Sequence, residues 1–317
     1  MPASVPVHRI GFELPWPPHT SYAYVLGTDE PLLVDAGAPG DDGWKTLATE
    51  LEGIGLAPAD IEHVLVTHPH TDHAGQVERL LEAGDPTVYA PIGVRKRLSR
   101  PPDDLAEVVQ RNAIEIGHPD PASPVADAVD SLKRNRRVLP PDGIDVEVAF
   151  GEPFDVGELS FEAIHAPGHQ ANQAAFYDDG RLFAGDALAE PFRTAALHTG
   201  LDRGCTDAID AFYRGRENLS AYEIDRVYPG HGPVFDDATA AIERDLSELD
   251  ALVESCHEVV ASVGSATAYE VTAERVDDPQ RLGFSVYESV GALARLERRG
   301  EIDSSLVGDV RYYEPSF

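Results

Sequence analysis

Through the first two thirds of the chain, short apolar runs alternate with amphipathic stretches. Residues 21–27, 32–35, 63–67 and 87–90 read as strands, with helical periodicity over 43–54 and 75–82 between them. A second set of strand-like runs follows at 159–164, 173–177, 182–184 and 226–228. Two strand-rich halves with helices outside predict a mixed α and β domain. Residues 95–146 break the rhythm: they are rich in Pro, Asp and Arg, with helical patches at 104–116 and 126–136. From about Asp237 the pattern turns helical. A long helix is expected over 239–263, stopped by Gly264, and a second over 267–276. A third, over 285–299, carries Val286, Val290, Leu293 and Leu296 on one face and Gly300 as its stop. Residues 301–314 then read as a hairpin, and the chain divides into a unit at 1–236 and a smaller one at 237–317.

The chemistry sits where apolar runs stop. Val64-Leu65-Val66 ends at Thr67 and is followed at once by His68-Pro69-His70-Thr71-Asp72-His73. The His-x-His alternation sets two imidazoles on one side of an extended turn, and Asp72-His73 points at a second position. Imidazole and carboxylate suit zinc, with iron and manganese as alternatives. Asp35 closes the run Leu32-Leu33-Val34. His169 ends His165-Ala166-Pro167-Gly168-His169, Asp186 follows Leu182-Phe183-Ala184-Gly185, and His231 lies in Tyr228-Pro229-Gly230-His231-Gly232-Pro233.

This ordered series (Asp35, then His68, His70, Asp72 and His73, then His169, Asp186 and His231) resembles the metallo-β-lactamase-fold superfamily over roughly residues 8–236. Within it the chain is most similar to the glyoxalase II-like and LACTB2-like branch. The resemblance implies an α+β fold, an αββα sandwich, with a small winged-helix-like C-terminal domain. It also implies two divalent metal ions, zinc first among them. His68, His70 and His169 would hold one ion; Asp72, His73 and His231 the other. Asp186 would bridge both together with a water or hydroxide, making Asp72 and Asp186 the catalytic carboxylates. Asp35 would orient the His-rich loop rather than bind an ion. Such a pair acidifies a shared water from ~16 towards ~7 and polarises the oxygen of the bond to be cut. The chain departs from the family pattern after the Pro-Gly-His motif. Where a Thr or Ser is usual, soon followed by Gly, it carries Gln170-Ala171-Asn172-Gln173.

Composition narrows the setting. Asp and Glu number 56 against 25 Lys and Arg, giving a formal charge of −31 in 317 residues. Lysine occurs only at Lys45, Lys96 and Lys133. This acid-coated, lysine-poor surface resembles proteins of extreme halophiles. At ~1 M salt the Debye length is ~3 Å, so the charge speaks to solubility rather than to partners. Cys205 and Cys256 are far apart and read as two reduced thiols. Met1–Ile10 shows no leader pattern, and no apolar run approaches membrane-spanning length. A cytoplasmic protein without membrane contact is expected.

The leading expectation is a metal-dependent hydrolase of a thioester or related acyl bond in a small molecule. A nuclease using the same ligands on phosphodiesters, a lactonase, and a binding module without turnover stay open beside it. The insert at 95–146 is expected to cover the site as a lid. Its basic clusters, Arg95-Lys96-Arg97 with Arg100 and Lys133-Arg134 with Arg136-Arg137, would clamp a phosphate-bearing substrate. His19 and His198 are candidates to donate a proton to the leaving group, while His165 reads as a core or supporting residue. Arg295, Arg298 and Arg299 end the third tail helix beside Glu288 and Glu297, which favours packing or homodimerisation of the tail over nucleic-acid binding.

Overall fold

The computed structural model describes residues 5–27 and 29–316, so the first four residues of the Met1–Ile10 stretch lie outside it. Two sheets face each other. The first runs β1 (Val7–Glu13), β2 (Thr20–Leu26), β3 (Leu32–Val34), β4 (His63–Leu65), β5 (Thr87–Pro91) and β6 (Val146–Val148), in that spatial order. It is antiparallel from β1 to β3 and parallel from β3 to β6. The second sheet contains β7 (Pro153–Val156), β8 (Leu159–His165), β9 (Ala174–Asp178), β10 (Arg181–Gly185) and β11 (Arg226–Pro229), in the order β11-β10-β9-β8-β7. It is antiparallel apart from the parallel β10–β11 pair.

Strand alternation builds the layers. Leu32, Val34 and Leu65 face inward to Phe161, Phe176 and Phe183 of the opposite sheet. Their neighbours Leu33, Val64 and Val66 face outward, where Leu47 and Leu51 of α1 (Gly40–Gly53) and Leu80 of α2 (Val77–Gly84) cover them. On the other side Ile164, Ala175, Leu182 and Ala184 pack against Leu219 of α6 (Ala208–Ser220) and Ala241 and Ile242 of α7 (Ala238–Val263). The result is the αββα sandwich.

The remaining elements are α3 (Val94–Leu98), α4 (Pro102–Glu115), α5 (Ala122–Val138), α8 (Ala268–Arg275), α9 (Pro279–Arg298) and the hairpin β12 (Ile302–Val307) with β13 (Val310–Pro315). One apolar core joins Leu105 and Val109 of α4 and Leu132 of α5 to Phe212 of α6, Leu249 and Cys256 of α7, Val271 of α8, Leu293 of α9 and Tyr313 of β13. The core therefore crosses residue 236, and the insert packs with the tail. A reciprocal cap starts α8: Thr267 Oγ1 accepts from Glu270 N–H at 3.2 Å, and Glu270 accepts from Thr267 N–H at 2.9 Å. α6 and α7 are joined by a water-excluded ion pair, Arg216 to Asp245, at 2.7–2.8 Å. Strands β1, β6 and β7 and helices α3 and α6 lie outside the segments the apolar pattern marks, and α9 begins earlier than 285. Among the described residues no helix is long and apolar enough to cross a membrane.

Candidate metal centre

Parallel pairing of β3 with β4, and of β10 with β11, with β8 running alongside in the same sense as β10, puts the carboxyl ends of these strands on one edge of the sandwich. Each strand delivers its polar residue just past that end: Asp35 after β3, His68 to His73 after β4, His169 after β8, Asp186 after β10 and His231 after β11. Gly230 has to be glycine there, since a Cβ would sit 2.4 Å from the His73 ring and 2.9 Å from Asp186 Oδ1.

Two groups of ligating atoms result. His68, His70, His169 and Asp186 form one, Asp72, His73 and His231 the other, each with its atoms within 4.8 Å of one another. In the first group, His70 Nδ1 lies 3.1 Å from His68 Nε2 and 3.0 Å from His169 Nε2, and Asp186 Oδ2 lies 3.1 Å from His169 Nε2. The second turns to the other oxygen: Asp186 Oδ1 lies 3.2 Å from His73 Nε2 and 3.3 Å from His231 Nε2, and Asp72 Oδ2 lies 3.6 Å from His231 Nε2. Ligands held tetrahedrally at ~2.0–2.1 Å from zinc sit roughly 3.3 Å apart, so these edges fit one ion per group. His73 Nε2 and Asp186 Oδ1 are buried without a hydrogen-bond partner, the condition an ion between them would relieve.

The outward nitrogens fix which lone pairs point in. His169 Nδ1–H donates to the Ala195 carbonyl at 3.0 Å, and His231 Nδ1–H donates to the Thr20 carbonyl. His73 Nδ1–H donates to Asp35 at 2.9 Å. The Thr67 hydroxyl donates to Asp35 and accepts from His68 Nδ1–H at 3.1 Å. Asp35 thereby orients one imidazole in each group, directly and through Thr67, and is itself held in a left-handed backbone conformation with φ 55°. His70 differs: its Nδ1 faces the group, and its Nε2 lies 2.7 Å from the side-chain amide of Gln170.

Electrostatics separate the two groups. Burial, reinforced by neighbouring imidazoles, pushes His68 and His70 well below the usual range, and burial also lowers His169. These rings are neutral at pH 7, the form that binds a cation. At His73 and His231 burial is again the largest single influence, but the carboxylates around them together outweigh it and both are raised. Those carboxylates are Asp186 with Asp35 and Asp72 at His73, and Asp186 with Asp72 at His231. Burial likewise opposes ionisation of Asp186, yet His231, His73 and His169 hold it well below the carboxylate range. In the second group a proton and a divalent ion compete for the same lone pairs.

The other expected residues scatter. His19 is exposed at the end of the β1–β2 loop, next to Thr20, which receives His231. His198 is buried, its main chain tied to Gly168 and His169, and burial together with Arg97 brings it down to about 4. It is unprotonated at neutral pH, which suits it to hydrogen bonding rather than to protonating a leaving group. His165 stacks on Phe150 and donates to the Ala171 carbonyl at 2.9 Å. Arg136 is spent on the fold, donating to the carbonyls of Leu98 and Arg100. Arg134 and Arg137 are exposed on α5. Arg95 binds Glu147 and Arg100 binds Asp202, whereas Arg97 is half-buried with its charge acting on His70 and His198.

Three contributors carry no motif: Thr67, Gln170 and Glu288. Glu288 of α9 accepts from Ala196 N–H at 2.9 Å and from Arg193 at 2.8 Å, holding the loop whose Ala195 carbonyl receives His169. Only the position of Gln170, where the family pattern breaks, was signalled by the sequence.

The family model of the metallo-beta-lactamase superfamily matches residues 15–231, and the chain belongs to that superfamily. A hydroxyacylglutathione hydrolase of Methylococcus capsulatus is 24% identical over 270 residues, covering 80% of this chain and 84% of that protein. An atrochrysone carboxyl ACP thioesterase of a Cryptosporiopsis species is 23% identical over 230 residues, or 71% of this chain. The chain spans about half, 53%, of that relative's length. The crystal structure of a metallo-beta-lactamase family protein from Thermus thermophilus superposes with a TM-score of 0.82 at 24% identity, covering 97% of this chain and 98% of that one. The shared fold therefore extends through the C-terminal helical region.

Proposed function

We propose that this chain is a hydrolase that holds two divalent ions, zinc by preference, and cleaves a thioester or related acyl bond. The observation that carries the reading is Asp186, whose two oxygens turn to different ligand groups. When bound, the ions would supply an acidified water and Lewis acidity at the acyl oxygen. His68, His70 and His169 would hold one ion and Asp72, His73 and His231 the other. Asp186 would span them, while Asp35, Thr67 and the carbonyls of Thr20 and Ala195 keep the imidazoles turned inward. No Ser, Cys or Lys nucleophile is required.

Preference for an acyl bond rests on three supports. Relatives named as an ACP thioesterase and a hydroxyacylglutathione hydrolase align across most of the chain. Exposed apolar side chains, Trp16 and Ile92, lie on segments tied to the centre: Trp16 on the loop leading to Thr20, Ile92 through its carbonyl to Asn172. The tail arginines that would have to meet a nucleic-acid backbone are engaged, Arg295 and Arg298 with Asp210 and Arg299 with Glu301. The test is a substrate panel in molar salt, the medium its acidic surface suits: acyl-CoA, acyl-glutathione, a lactone, RNA and a nitrophenyl phosphodiester. Thioester turnover should exceed the others by orders of magnitude. Faster cleavage of RNA or phosphodiester overturns the acyl assignment.

A further inference from the structure

We infer that Gln170 is the positioning residue for His70, its side-chain amide oxygen accepting the His70 Nε2 proton and so turning the Nδ1 lone pair toward the first ion. This rests on the two-ion reading above, and it gives a physical role to the point where the chain departs from its family's Thr or Ser. His70 is the one imidazole of the five that faces its group through Nδ1, at 3.1 and 3.0 Å from the Nε2 atoms of His68 and His169. An ion shared by these three nitrogens needs a bare Nδ1, and a neutral ring then carries its proton on Nε2. Gln170 is buried, and its side-chain Nε2 lies 2.7 Å from that nitrogen. Amide nitrogen and oxygen are exchangeable by a flip, and their placement follows from the hydrogen bonds they must make. An N–H facing an NH2 would leave two donors in collision. Only the orientation with Oε1 toward His70 gives a hydrogen bond when Nδ1 binds an ion. The opposite orientation would put the proton on Nδ1, inside the ligand group. His68, His73, His169 and His231 are held by backbone carbonyls, a hydroxyl or Asp35. Gln170 supplies the equivalent acceptor for the ring that is turned the other way.

Gln170→Leu keeps roughly the volume and removes the acceptor, while Gln170→Glu keeps an acceptor. Zinc is titrated into the chelator-stripped full chain against a chromophoric competitor that resolves the two ions. The expected result is ~10–100-fold weaker binding of one ion in Gln170→Leu, an unchanged second ion, and recovery in Gln170→Glu. Equal weakening of both ions, or no weakening, overturns the inference. A wild-type chain that takes up no zinc overturns it together with the two-ion reading, so the two failures are distinguishable. Because Gln170→Leu risks misfolding, the wild type supplies a second measurement. Long-range nitrogen–proton correlation on the 15N-histidine-labelled zinc form should find the His70 proton on Nε2, and a proton on Nδ1 sinks the assignment without any variant.

Discussion

The sandwich and the helical half meet at one site but contribute differently to it. Every candidate ligand comes from the sandwich, one or two residues past a strand end for Asp186 and His231 and within a short loop for the others. The helical core built from α4 to α9 contributes none of them, yet Glu288 of α9 fixes the loop that holds His169. Paired strands set where a ligand stands; side chains distant in sequence set which way it faces. A tail that looks detachable is thus part of the centre's rigidity.

The comparison breaks most sharply at Asp186. Asp186→Ala removes the carboxylate common to both ligand groups and should lower kcat by ~10³-fold or more, about 4 kcal/mol of barrier, while circular dichroism stays that of the folded chain. Near wild-type turnover in this variant would sink the assigned mechanism. Next comes Glu288→Ala, which leaves the buried Ala196 N–H without its acceptor and takes from Arg193 the nearer of its two carboxylate partners, Glu248 remaining at 3.6 Å. It should cost ~2–3 kcal/mol by urea denaturation and loosen metal retention as well. Glu288→Gln should restore much of both; a Glu288→Ala chain with unaltered metal affinity would separate the two halves after all.

A third prediction singles out the helical core, which contains Cys205 and Cys256, both buried and unbridged. Burial pushes both thiols up to about 11 from 9.0. A raised acid is protonated when folded and ionised when unfolded, so its stabilising effect is full below pH 9 and is lost as pH climbs towards 11. Each thiol should cost ~1.4 kcal/mol per pH unit across that window. A Cys205→Ala, Cys256→Ala chain should lack this part of the decline, and parallel curves for the two proteins would refute the prediction. The smallest effect separates arginines of one cluster. Arg136→Ala should cost ~1–2 kcal/mol through the lost bonds to Leu98 and Arg100. Arg134→Ala and Arg137→Ala should stay within ~0.5 kcal/mol.

What the sequence disclosed follows the same division. Ligands were readable because each follows an apolar run, and a strand of period two ends where polar residues begin. Helices α7 and α8 were readable too, from the helical pattern after Asp237 and the stop at Gly264, while their caps, Asp237 and Thr267, show only in the structure. α6 was hidden because its buried face includes Arg216, paired with Asp245, and Gly215, where a Cβ would sit 2.4 Å from the Pro167 carbonyl. Neither counts as apolar in a pattern. Glu288 reads as a surface acid until Arg193, 95 residues away, is seen beside it. The insert's helices were visible, but not that their apolar faces would share a core with the tail.

The central claim is a pair of ions spanned by Asp186. Anomalous diffraction at the zinc edge, from crystals of the zinc-loaded chain, tests it most directly. Two peaks are predicted, one beside Oδ2 of Asp186 among His68, His70 and His169, the other beside Oδ1 among Asp72, His73 and His231. A single peak, or peaks away from that carboxylate, would contradict the account.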